Sequence, residues 1–171
     1  MKTSIKVLPL IAALTAVSAF AQTPAEITPP AGNKAVLTLS ATGMLTYECK
    51  AVADKPGSFA WTFASPDAKL FDANKKEAGK YYAGPTWEAT DGSKVTGKQL
   101  AVSPSVAGAI PLQLVQAAPT TGKGAMADVT YIQRLKTVGG VAPATPACTA
   151  ANVAAKTTAG YSADYVFFKK G

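Results

Sequence analysis

Four carboxylates, Glu48, Glu88, Asp91 and Asp128, are the side chains best suited to acid and base chemistry in this sequence. Hydrolysis of a glycosidic bond needs two such groups about 5 to 10 Å apart across a cleft. Asp91 is accounted for by the turn signal Asp91-Gly92, so Glu48 and Glu88 form the pair a carboxylate-based hydrolase would use. The chain has no histidine. That removes Ser-His-Asp and Cys-His catalysis and takes away the commonest transition-metal ligand. The acids are scattered, with none of the Asp-x-Asp clustering that gathers calcium. Neither a metal nor a cofactor is expected.

Binding chemistry concentrates in "YYAGPTWEATDGSKVTG", Tyr81 to Gly97. Trp87 beside Glu88 looks like a sugar-binding pair, yet strand alternation sends adjacent side chains to opposite faces. A two-residue type I′ turn at Asp91-Gly92 would pair Thr90 with Ser93, Ala89 with Lys94, Glu88 with Val95 and Trp87 with Thr96. Trp87 and Lys94 then share one face and Glu88 takes the other. The favoured reading is a packed Trp87 next to a solvated Glu88; a Glu88 facing a pocket would instead have reason to titrate abnormally. Tyr81, Tyr82, Trp87, Glu88 and Gln133 are the candidate ligand-binding residues, an aromatic and amide-lined surface.

The elements that must position these residues read as strands almost throughout. In "MLTYECKAV", Leu45, Tyr47, Cys49 and Ala51 alternate with Met44, Thr46, Glu48 and Lys50. "FAWTF" repeats the pattern through Phe59, Trp61 and Phe63. Further strands are expected in "KAVLTLS", "AKLFD", "EAGKYYA", "KVTGKQLAV", "AIPLQLVQA", "VTYIQRLKT" and "YSADYVFFK", separated by Gly, Pro, Asp or Asn. Only "TAANVAAK" supports a short helix. About nine short strands imply an all-β antiparallel sandwich or barrel. Gly122 to Ala127 matches G-x-G-x-x-A, but a strand pattern follows where a dinucleotide site needs a helix, so it reads as a glycine turn.

The N-terminus places Lys2 and Lys6 before the apolar run "VLPLIAALTAV" and the small-residue site Ala19-Phe20-Ala21. This is the order of a secretory signal peptide, expected to span residues 1–21 and to be removed, leaving no transmembrane segment. Residues 22–33, rich in proline, read as an extended N-terminal arm, and residues 34–171 as a single β domain. A periplasmic or secreted protein with two cysteines, Cys49 and Cys148, is expected to bridge them. The lysines are dispersed and Arg134 is the only arginine, which argues against nucleic-acid binding.

The segments "PAGNKAVLTLSATGMLTYECKA", "YAGPTWEATDGSKVTGK", "GAIPLQLVQA", "GKGAMADVTYIQRLKTVGG" and "APATPAC" together resemble domain-of-unknown-function family 3455, secreted proteins of bacteria and fungi. "TYEC", "GPTWE" and "VTYIQR" are the most specific pieces. The resemblance implies export and a single domain, and brings no activity. Bacterial members often carry His where this chain has Tyr81, which argues against an essential histidine there. Three roles follow as expectations. The first is a non-enzymatic exported module binding a small molecule, glycan or envelope partner. The second is a hydrolase using Glu48 and Glu88, and the third a structural envelope protein without a ligand site.

Overall fold

The computed structural model describes residues 23–120, 122–144 and 146–171; the signal peptide read from residues 1–21 lies outside them. Among the described residues, eight antiparallel strands follow one another around a closed barrel: β1 (Asn33–Ala51), β2 (Phe59–Phe71), β3 (Glu77–Tyr82), β4 (Thr86–Ala89), β5 (Lys94–Ser103), β6 (Leu112–Ala117), β7 (Val129–Gly139) and β8 (Lys156–Lys170). The β1–β8 ladder, from Asn33 opposite Lys170 to Glu48 opposite Lys156, closes the wall. Closure leaves no sheet edge unpaired.

The count is eight rather than about nine because two pairs of expected strands are single long ones. "KAVLTLS" and "MLTYECKAV" join in β1, "FAWTF" and "AKLFD" in β2, while Thr86–Ala89 forms a strand of its own. Gly43 and Pro66 had the look of breaks. A Cβ on Gly43 would lie 2.2 Å from the Asp67 carbonyl oxygen and 2.4 Å from Ala68 Cα, so glycine here lets β1 and β2 close at a bend. Pro66 pairs with Leu45 on one side, and the β2–β3 ladder begins only at Asp67, so its missing N–H deprives no strand of a partner. Between them Thr46 faces Ser65 and Tyr47 faces Phe63, leaving Ala64 as the extra residue of a bulge that sharpens the curvature.

Alternation fills the barrel. Leu39, Ala41, Leu45 and Tyr47 of β1 meet Tyr161, Ala163, Tyr165 and Phe167 of β8 in one buried cluster with Trp87, Val95, Val115 and Ile132. The lower end, where the β4–β5 and β6–β7 connections lie, is plugged by the fully buried Met126. Two hydrogen bonds hold this plug: Ala125 N–H donates to Asp91 Oδ2 at 2.7 Å, and Met126 N–H to Ser93 Oγ at 3.0 Å. The Gly122–Ala127 stretch is thus a turn between strands, as its strand-like sequel implied.

The hairpin at Asp91-Gly92 differs from the two-residue turn. Trp87 pairs with Val95 and Glu88 with Lys94, one residue out of the expected register. Gly92 N–H donates to the Ala89 carbonyl and Ala89 N–H to the Ser93 carbonyl, enclosing three residues, and Gly92 (φ 85°) takes the left-handed position. This is a turn with a glycine bulge rather than type I′. It leaves Asp91 free to accept from Ser93 N–H and from the plug.

The segment read as an extended arm carries a 3-10 turn, Ala25–Ile27, with Ile27 fully buried. Gln133 Nε2 donates to the Ile27 carbonyl at 2.6 Å, and Ser103 Oγ to Glu26 at 2.7 Å, fastening the arm to the outer wall. The expected helix near "TAANVAAK" is a single 3-10 turn, Ala150–Asn152. Cys49 and Cys148 form a disulfide, tying the β7–β8 connection to β1 at the upper end.

Candidate functional site

Opposite the plugged end the barrel interior is not filled. A cavity of about 380 Å³ opens between the β3–β4 and β5–β6 connections. Its walls combine aromatic side chains (Tyr47, Phe63, Tyr81, Trp87), aliphatic ones (Leu45, Val102, Ile110, Val115), two amides (Gln99, Gln113) and one charged group, Arg134. Gly97 lines the cavity, and a Cβ there would come within 2.5 Å of Val115 Cγ1. Eight strands suffice to enclose a pocket for one small ligand when the side chains leave it open.

One wall is an aromatic stack. The Tyr81 and Trp87 rings lie 4.5 Å apart at 17°, and Tyr165 meets them at 5.2 and 5.5 Å, edge-on to Trp87. These contacts arise from register: Tyr81 sits opposite Trp87 in the β3–β4 ladder, where directly opposed side chains touch. Trp87 is wholly buried, yet its indole Nε1–H has no hydrogen-bond partner among the described residues. Burial holds the Tyr81 and Tyr165 phenols well above their ordinary titration range and raises Tyr161 to about 12. All three are therefore protonated at neutral pH.

Arg134 stands on β7, two residues from the core residue Ile132 and so on the same inward face. Its Nε and Nη2 donate to the Pro111 carbonyl at 3.2 and 2.9 Å, joining β7 to the rim of the cavity. The carboxylates in ion pairs, Glu48, Glu77, Glu88 and Asp164, are all held by lysines; none among the described residues pairs with Arg134. Its charge acts on the tyrosines, opposing the upward push of burial at Tyr47, Tyr81, Tyr161 and Tyr165.

The sequence-predicted residues divide between the two faces of the wall. Tyr81 and Trp87 line the cavity. Glu88 lies on the outside, accepting from the Tyr82 hydroxyl at 2.7 Å and paired with Lys94 at 3.2 Å and Lys80 at 3.5 Å. The Tyr82 hydrogen bond, ahead of the lysines, holds the Glu88 carboxyl below its ordinary value. The Trp87/Glu88 split follows alternation as expected, but the register change gives Lys94 to Glu88 rather than to Trp87. Gln133 is buried beneath the N-terminal arm, away from the cavity. Glu48 pairs with Lys50 on the outer face of β1, separated from the Glu88 strand β4 by β2 and β3, so the structure does not bring the two carboxylates to one cleft.

Arg134, Tyr47, Phe63, Gln99 and Gln113 are cavity residues that sequence reasoning did not select. For Arg134 a signal existed: it is the only arginine, at the same alternation phase as Ile132. Among the described residues there is no group of three or more metal-ligating side chains, and no helix long and apolar enough to cross a membrane. The family described as protein of unknown function (DUF3455) matches residues 30–169. No curated protein and no solved structure matches the chain.

Proposed function

The chain belongs to the DUF3455 family, and from the geometry of its barrel we propose that it is an exported, non-enzymatic module that binds an apolar or aromatic small molecule in the upper cavity. The observation that carries this reading is the cavity itself. At about 380 Å³ it falls within the size range of small-molecule sites, one end is plugged, and an aromatic stack forms a wall. The lining contains no carboxylate, so it offers binding surface rather than an acid and base pair. The Cys49–Cys148 bridge fits an oxidising compartment, the periplasm or the exterior.

A thermal-shift screen of the mature protein against aromatic and aliphatic metabolites and glycans tests this. A ligand at 100 times its Kd adds about 2.7 kcal/mol, roughly 5 to 10 °C for a domain of this size. Val102, at the cavity and 44% exposed, can be replaced by Trp to fill the mouth without entering the core. The reading expects hits among apolar compounds that Val102→Trp abolishes. Hits that survive Val102→Trp and disappear in Tyr82→Ala would move the site to the outer wall and refute it.

A further inference from the structure

We propose that the ligand of the barrel is a monoanion whose carboxylate sits on the Arg134 guanidinium while its flat apolar body lies against the Tyr81–Trp87 stack. This rests on the cavity-binding reading and narrows it to a chemical class. The cavity lining contains one formal charge, and it is positive. Arg134 is half-buried at the rim of a mostly apolar space, where the attraction of a counter-charge is screened less than in open water. No carboxylate among the described residues forms an ion pair with Arg134; those that are ion-paired are held by lysines.

Arg134 has donor capacity to spare. A guanidinium carries five N–H groups in a planar fork. Pro111 takes one from Nε and one from Nη2. That carbonyl contact fixes the orientation of the fork at the rim, and pre-oriented donors lose little freedom when an anion arrives. A carboxylate matches the fork with two parallel bonds, whereas a neutral amide offers a single uncharged acceptor.

Two isosteric probes separate the charge from the body: 2-naphthoate and 2-naphthamide, titrated calorimetrically into the mature protein. The wild type is expected to bind naphthoate at least about tenfold more tightly, as a charge-assisted pair at a half-buried site allows. Arg134→Gln should collapse the ratio toward one, and Arg134→Lys, which keeps the charge but not the fork, should leave an intermediate ratio. A purely structural role for Arg134 at Pro111 would weaken both probes together and leave their ratio unchanged. Equal affinities in the wild type, or a ratio that survives Arg134→Gln, overturn the assignment of charge while leaving the cavity reading standing. If neither probe binds, the cavity reading fails with it. The wild-type ratio is independent of whether a variant folds, so an unstable Arg134→Gln does not spare the proposal.

Discussion

Trp87 gives the sharpest test of how the barrel is held together, because replacing it in two steps separates packing from hydrogen bonding. The ring is fully buried and stacked on Tyr81, with Tyr165 edge-on. Truncation to alanine should cost about 3 to 5 kcal/mol, toward the upper value because two ring pairs are lost with it. Trp87→Phe keeps a ring in the stack. It forfeits roughly 1 to 2 kcal/mol of apolar contact, at about 0.8 kcal/mol per buried carbon. It also removes the indole N–H, whose burial without a partner costs about 1 to 3 kcal/mol. The two effects nearly cancel, and the net change is expected within about 1 kcal/mol. Urea unfolding followed by far-UV circular dichroism measures both, since that signal does not depend on the removed fluorophore. A domain of this size has only about 5 to 15 kcal/mol of stability in all, so the alanine variant should be visibly weakened. A cost below about 1 kcal/mol for Trp87→Ala would refute the packing argument. A Phe variant as unstable as the Ala variant would refute the claim that the N–H is unmet.

Reduction of the Cys49–Cys148 bridge, which spans a separation of 99 residues, should lower stability by about 4 to 5 kcal/mol in the chain-entropy picture; two thiols titrating in unfolded, unreduced protein would exclude the bridge. Gly43→Ala should destabilise by at least about 1 to 3 kcal/mol, since its Cβ would strike the backbone of Asp67 and Ala68, and an unchanged midpoint in urea would show that the β1–β2 bend does not need glycine. Asp91→Ala should release the lower plug, seen as faster hydrogen exchange at the Ala125 and Met126 amides. The Asp91 carboxyl is held below its ordinary value of 3.8 first by Ser93 and then by Ala125 N–H. Its support is therefore complete above the unfolded value and is lost as pH falls through the lower folded one. Exchange at Ala125 in the wild type should accelerate on that acidification, and a flat profile would contradict the plug's dependence on Asp91.

Much of the wall was legible because period-two alternation is local. Tyr47 with Cys49, Trp87 against Glu88 and the strand following the glycine turn can each be read from neighbouring residues. The features that escaped depend on residues distant in sequence. Asp91-Gly92 is a strong two-residue turn signal taken alone, but the Asp91 side chain is recruited by Ala125, 34 positions away, and the hairpin adopts a three-residue loop. Gly43 and Pro66 looked like breaks because their tolerance comes from the strand opposite or from the lack of one. Alternation in "VTYIQR" marks two faces without saying which is inside. Gln133 is as buried as a core residue, but under the N-terminal arm, while the cavity belongs to Arg134 next to it. An arm that buries Ile27 could not be foreseen from a proline-rich composition.

A ¹H–¹⁵N correlation spectrum recorded while 2-naphthoate is added shows whether the upper cavity is the ligand site. The chain has two indole N–H groups to compare. That of Trp87 lies in the cavity wall without an acceptor, and that of Trp61 donates to the Pro146 carbonyl at 3.0 Å. Binding in the cavity should shift the Trp87 indole and Arg134 Nε–H resonances, which saturate together, while the Trp61 indole and the Lys69 and Glu77 amides, away from the cavity lining, stay in place. Saturating shifts confined to Tyr82, Glu88 and Lys94, with Trp87 and Arg134 unmoved, would contradict it.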